Sequence, residues 1–585
     1  MRAYNTHVDG QLKLKHLEPD AFDYDTNTAY FFNGCYYHGH GADCLIKGRP
    51  KTARRGTNED FEARLKLFKA EYQNYNVEVL WECKWNEDMT TDEKKDFFNT
   101  RPWAINPPLH RLIARDAVRG GHSETYNFIW TKDQNPGEEF IYLDVISQYP
   151  DIALSEKFPV GDFKVLIGET LKNVSVSHPL TLDGKELYGL IFLLIEAPRD
   201  TKYPFLLHRT KDKRSVATLC TKCSEDQALS SCNHNDIDRF IRGTYTTVEI
   251  YYAVSLGYKI HYIFECWHWD KQEDIFQKFM QLLMKKKVMY SGIPANCTSE
   301  QDSQTYCEAV NRKLELEGDN KLTLADICED PDRKKYYKLL SCSILGKMGQ
   351  SNVFSEDLYI QNPSELETLL GSARGVITNI ELINPEVLYC RFEPNKSNYT
   401  PNRSGNCAVA AFITAYARVK MHKAIMSLVN QSDIKVYSVE ADAVAFSKRV
   451  GTSLPVRTGS QIGDFRIEYS EIMHYSSLGA KTSCVHYVKD NEVKSIVKVK
   501  GLSLKGKLAS DSVNLDAYTK QVTDLVKGIQ SHIKVPQSRQ YTKFSTCTSR
   551  MTMKEFIFSN FILKNRKMLL LENGSISCYP YGYKE

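Results

Sequence analysis

Long apolar runs are missing from this chain of 585 residues. No stretch reaches 18 consecutive apolar positions, so the sequence predicts no membrane-spanning helix and no membrane partner. The opening MRAYNTHVDG lacks the apolar segment of a secretory signal, which predicts an intracellular protein. Charge of one sign is also scarce: 76 basic and 72 acidic residues leave a net charge of +4. No internal repeat or low-complexity tract is found. Hydrophobic residues at 42% and charged ones at 25% exclude a disordered chain, a collagen and a small disulfide scaffold. The length suits several domains, each with its own core.

Basic residues do gather locally, in KGRPKTARR, MKKKVM, KVKGLSLKGK and KNRK. Such runs on a near-neutral chain fit one basic channel for a polyanion, or a set of solvated faces.

The 16 cysteines fall partly into two groups with histidines. In a reducing compartment such groups more often mean metal than disulfides. The first, NGCYYHGHGADC followed by VLWECKW, offers Cys35, His38, His40, Cys44 and Cys83. Five candidates exceed the four ligands of a structural zinc ion, and a strand VEVLWEC would bring Cys83 to the others. The second, LCTKCSEDQALSSCNHND, supplies Cys220, Cys223, Cys232 and His234, a compact four-ligand zinc set. One or two structural zinc ions are therefore expected.

Two acidic positions share a setting. Asp144 ends the apolar strand FIYLD. Asp442 lies at a hairpin tip in VYSVEADAVAF, two residues after Glu440. Carboxylates pinned at neighbouring strand ends are what two-metal phosphoryl transfer requires; ordinary turn aspartates read the same way. The pattern CAVAAFITAYARVKMHKAIMSLV predicts a core helix, residues 320 to 375 read as helical, and EEFIYLDVISQYP reads as a strand entering a turn before Pro150.

The order of these motifs resembles family B DNA polymerases. DVISQYP resembles motif A, KLLSCSILGKMGQ motif B, VYSVEADAV motif C, GAKTSCVHY the KxY motif and VRGGHSE the YxGG element. GNCAVAAFITAYARVKMH, the second cysteine group and the closing YPYGY are similar to the protein-primed viral and Polinton-type transposon branch. The resemblance spans about residues 20 to 585. It implies an α+β multidomain fold, a right hand of palm, fingers and thumb preceded by a zinc-containing α/β module. The implied division is 1–100 for that module, 101–190 for a linker and the first part of the palm, and 191–300 for an insertion with the second cysteine group. Fingers at 301–395, the rest of the palm at 396–500 and the thumb at 501–585 complete it.

The implied function is transfer of dNMP from a dNTP to a primer 3′-hydroxyl, with DNA and dNTPs as partners and a terminal priming protein as a further one. Asp144, Asp442 and Glu440 would be catalytic, the two aspartates holding two Mg²⁺ ions. Tyr149, Lys338 and Lys334 would bind the nucleotide. Lys481, Gly120 and Gly121 would meet the DNA. A viral or transposon role makes the nucleus the candidate compartment. The family's usual 3′–5′ exonuclease domain is not recognised, which implies a fragment or lost proofreading.

Departures from the pattern are Glu440, Ala443, Cys342, Leu345, Ser483, Val118 and Gln148. They leave a catalytically degenerate DNA-binding remnant as an alternative. Within residues 1–100, PDAFDYDTNTAYFFNGCYYHGHGADC followed by VLWECKW is similar to very-short-patch-repair endonuclease. That resemblance implies zinc on Cys35, His40, Cys44 and Cys83, with Asp20 as the Mg²⁺ ligand and His38 as one catalytic histidine. Asn33 stands where the second histidine is expected, so a structural module is favoured over a zinc-containing endonuclease.

Overall fold

The computed structural model describes residues 21–23, 28–33, 58–73, 75–81, 83–84, 112–167, 169–172, 174, 180–295, 297–350, 355–371, 375–394, 405–543, 548–559, 565–570 and 576–584. The chain divides into two compact units, residues 1–113 with 166–173, and residues 114–165 with 174–585. No described helix is long and apolar enough to cross a membrane.

In the first unit, strand Thr28–Asn33 pairs antiparallel with Ala21–Asp23 and parallel with Asn76–Trp81. A parallel pair needs a long crossover, supplied in part by helix Asn58–Glu71. Phe61, Leu65 and Phe68 recur at helical spacing and are buried with Ala29 and Phe31. Cys83 is buried just beyond the third strand. Asp20, Cys35, His38, His40 and Cys44 lie outside the described residues.

The second unit is organised around a five-stranded antiparallel sheet. Its strands are Ser123–Thr125 (β1), Glu138–Val145 (β2), Ile434–Glu440 (β3), Ala443–Arg449 (β4) and Phe465–Ile467 (β5), in the spatial order β5-β2-β4-β3-β1. The sheet is covered on both sides. Ile141, Leu143, Val145, Val436, Val439, Val444 and Phe446 pack on Met421, Ala424, Ile425 and Leu428 of the long helix Cys407–Val429. Phe140, Tyr142, Tyr437, Ala443 and Ala445 pack on Tyr475, Val485 and Tyr487 of a four-stranded sheet. Burial on two faces explains why these strands read as nearly continuous apolar runs.

The first of those groups contains a break in strand periodicity. Val436 and Val439 are three apart yet face the same side, which a period of two forbids. The ladder of β3 with β4 shifts register between Val436 and Ser438, making Tyr437 an extra residue. The amides of Tyr126 and Asn127 both donate to the Tyr437 carbonyl, and Asn127 Nδ2 donates to that of Val436.

The helices that matter for the site are Gln148–Ser155 (α1), Gln277–Met289 (α2), Pro331–Met348 (α3) and Cys407–Val429 (α4). The strand does enter a turn before Pro150, at Ile146–Ser147; α1 follows at Gln148, and the proline occupies its first turn, where the missing N–H costs nothing. α3 opens with Asp330 capping two amides and Pro331 at its first position. The predicted helical stretch 320–375 is interrupted by strand Glu356–Ile360, which joins Gly375–Asn384 and Val387–Pro394 in a separate sheet.

Candidate active site and metal centre

Asp144 and Asp442, about 300 residues apart in sequence, meet at one end of the central sheet. Asp144 on β2 lies opposite Ala443 on β4 and opposite Arg466 on β5. Asp442 is in the tight β3–β4 connection, where its amide contacts the Glu440 carbonyl at 2.7 Å and its carbonyl accepts Val145 N–H at 2.8 Å. Ala441 in that connection has φ +59°. Ser147 at +55° and Lys481 at +56° are likewise left-handed, a conformation that non-glycine residues adopt mostly where the surrounding structure demands it.

Burial, then the negative charges of Asp442 and Glu468, push the Asp144 carboxyl up to about 6, against Arg466 and Lys338. Burial foremost, and Glu468, also raise Asp442, while Lys481 and Lys338 oppose the shift. Arg466 reaches Asp144 at 3.7 Å. Two carboxylates that resist ionisation beside one another form a place where a cation is stabilised.

Glu440 falls on the same sheet face as Asp144 because of the extra residue Tyr437. Without that insertion every residue after Val436 on β3 would swap faces. Its two oxygens accept hydroxyl hydrogen bonds, from Tyr142 at 3.3 Å and from Ser483 at 3.1 Å. The approach of Gly121 to this turn is equally close. A Cβ on Gly121 would lie 2.8 Å from the Ala441 Cα, and the His122 carbonyl accepts the Ala441 amide. Gly120 meets open space. Arg418 of α4 holds this segment from behind, donating to the carbonyls of Arg119 and Gly120 and pairing with Glu249 at 2.7 Å.

A cationic side faces the acids. Lys334 and Lys338 are exposed, one turn apart on α3. Lys287 of α2 donates to Ser147 Oγ. Burial and then Lys338, with Lys334 and Arg466, hold the Lys287 ammonium down to about 8. Tyr149, in the first turn of α1, has its hydroxyl raised by burial and by Asp442. Lys287, Arg466 and Glu468 escaped the sequence reading. Lys287 was visible only within the basic run MKKKVM, and Arg466 and Glu468 lie in FRIEYS, which carries no distinctive spacing.

Cys220, Cys223, Cys232 and His234 converge, their ligand atoms lying within 4.8 Å of one another. His234 Nδ1 is 3.6, 3.2 and 3.8 Å from the sulfurs of Cys220, Cys223 and Cys232. Tetrahedral zinc, with bonds of about 2.3 Å to sulfur and about 2.0 Å to nitrogen, separates such atoms by about 3.5 Å, so the donor set fits that ion. The Cys223 amide donates to Cys220 Sγ, and buried Arg239 donates to Cys232 Sγ at 3.3 Å. Hydrogen bonds from Cys223 draw the Cys220 thiol below its ordinary value.

Residues 65–297 match the family model described as DNA polymerase type B, organellar and viral. That span includes Asp144 and the Cys/His group and covers less than half of the chain. No curated protein matches the chain. Among solved structures, phi29 DNA polymerase complexed with primer-template DNA and incoming nucleotides is 15% identical. It has a TM-score of 0.45 over 88% of this chain and 76% of that one. The same polymerase with primer-template DNA alone gives 15% and 0.42, over 80% of this chain and 65% of the other, just under two thirds of its length. The family B DNA polymerase of the archaeon Pyrobaculum calidifontis is 12% identical with a TM-score of 0.23, over 70% and 34% of the two chains.

Proposed function

We propose that this chain is a DNA-directed DNA polymerase that adds dNMP from a dNTP to a primer 3′-hydroxyl. The observation that carries the proposal is the meeting of Asp144 and Asp442 at one sheet end, opposite a group of lysines. The match of residues 65–297 to the type B polymerase family supports it. Asp144 and Asp442 are hard oxygen donors and would hold two Mg²⁺ ions. When bound, those ions supply charge neutralisation and a more acidic attacking hydroxyl.

The chain's own residues do the positioning. Lys338, Lys334 and Lys287 bind the triphosphate as point charges. Tyr149 lies beneath the incoming sugar and disfavours a 2′-hydroxyl. Lys481 meets the primer strand. Glu440, with both oxygens engaged by hydroxyls, positions the β3–β4 turn. The zinc set Cys220, Cys223, Cys232 and His234 is structural. A protein-borne hydroxyl serves as the first acceptor, as the resemblance to the protein-primed branch implies.

The test is extension of a labelled primer with dNTPs and Mg²⁺. Extension by the parent chain and none by Asp442→Asn supports the proposal. DNA binding that weakens steeply with salt, without extension, would replace it by the non-catalytic reading.

A further inference from the structure

The carboxyl-terminal segment touches both the Cys/His group and the central sheet. Tyr581 is buried with Cys220, Cys223 and Cys232. Its carbonyl accepts the Leu219 amide at 2.9 Å and the Thr218 hydroxyl at 3.1 Å. Gly582 has φ +88°, and a Cβ there would sit 2.5 Å from Cys220 Cβ and 2.6 Å from its amide nitrogen. Buried Lys567 donates to the carbonyls of Ser230, inside the cysteine loop, and Tyr583. Two separate contacts therefore join this segment to the metal-binding loop.

A few residues earlier the same segment reaches the sheet. Ser577 bridges Asn127, and its hydroxyl contacts Tyr126 O at 3.1 Å and Asn127 Oδ1 at 3.2 Å. The Cys578 amide donates to the Tyr126 carbonyl. Tyr126 and Asn127 are the residues whose amides hold the extra residue Tyr437, and that insertion sets the face of Glu440. Arg566 adds a buried tie, pairing with Glu124 of β1 at 2.6 Å and donating to Cys578 O.

We propose that Cys220, Cys223, Cys232 and His234, loaded with zinc, fasten the segment Ile576–Tyr583 as a strap. Through Tyr126 and Asn127 the strap holds the Tyr437 bulge and so the orientation of Glu440. The metal is thereby a positioning device for the acidic turn, acting through the end of the chain. This link holds whichever reaction the acidic turn performs.

Amide hydrogen exchange on the full chain tests it without an activity readout. Cys223→Ser is expected to lower zinc content by one equivalent per chain. Removal of zinc by a chelator is expected to speed exchange in residues 576–583 and 436–440 by roughly tenfold or more, with recovery when zinc is restored. Gly582→Ala, which leaves all four ligands intact, is expected to weaken zinc retention and loosen the same two segments. Undiminished zinc in Cys223→Ser overturns the proposal. So does chelation that loosens only residues 219–235 while both distant segments keep their protection. Reversible chelation keeps the test decisive even if a variant fails to fold.

Discussion

Val145 N–H donates to the carbonyl of Asp442 at 2.8 Å, so the strand end that carries one acid is hydrogen-bonded to the turn that carries the other. Neither carboxylate can drift along its strand without breaking this bond. The prediction is direct: Asp144→Asn and Asp442→Asn each lose primer extension by about 10³-fold or more, as expected for removing charge stabilisation at a reacting centre. Both variants should retain parental circular dichroism.

The raised Asp144 carboxyl also carries a stability consequence. Its folded value of about 6 exceeds the ordinary 3.8. The protonated form therefore favours folding, and this contribution is full below about pH 4 and lost as pH rises through 6. In the absence of divalent ions, Asp144→Asn should melt higher than the parent at pH 7. The difference should close below pH 4. A scanning-calorimetry series across that range checks both the sign and the window.

Arg418 and Glu249 form a pair whose side chains are 1% and 2% exposed. Truncating one partner leaves a buried charge alone, at a cost of about 3–5 kcal/mol. Glu249→Ala should show that loss in urea unfolding. It should also loosen Arg119 and Gly120, whose carbonyls the guanidinium holds.

Gly121→Ala places a methyl against the backbone of Ala441. Overpacking of this kind costs roughly 1–3 kcal/mol. Because the obstructing atoms belong to the acidic turn, the variant should lose more activity than its stability loss explains. Gly120→Ala, with no protein atom near the added methyl, is the matched control for stability and should unfold as the parent does.

Lys287 loses its charge as pH rises through about 8. Nucleotide binding should weaken above that pH. Lys287→Met should raise the KM for dNTP about tenfold, the magnitude of one charge-assisted hydrogen bond, and flatten the alkaline limb of the profile. Steady-state extension at varied dNTP from pH 7 to 9.5 measures this.

Much of the acidic site was legible because it rests on local patterns. A strand ending in Asp144, and a strand–turn–strand around Asp442, can each be read from a dozen residues. The four ligands from Cys220 to His234 are close in sequence, so their convergence needs only a short loop. What escaped depends on distant chain. The Tyr437 insertion is created by amides from Tyr126 and Asn127, and a period-two reading of VYSVE gives no sign of it. Lys287 reaches the site only because α2 and α3 pack together. The strand at Glu356–Ile360 was hidden because its partner, Val387–Pro394, lies beyond an intervening helix and a further strand.

Strand β2 has two neighbours, β4 and β5, and both are made more than 290 residues after it. During synthesis the apolar segment Phe140–Val145 therefore leaves the ribosome long before either partner exists. For that interval it is a strand with two open edges, the kind of segment that pairs with other chains. Products that stop before about residue 449 should consequently gather in aggregates, and a holding chaperone on the nascent chain should raise the yield of full-length protein.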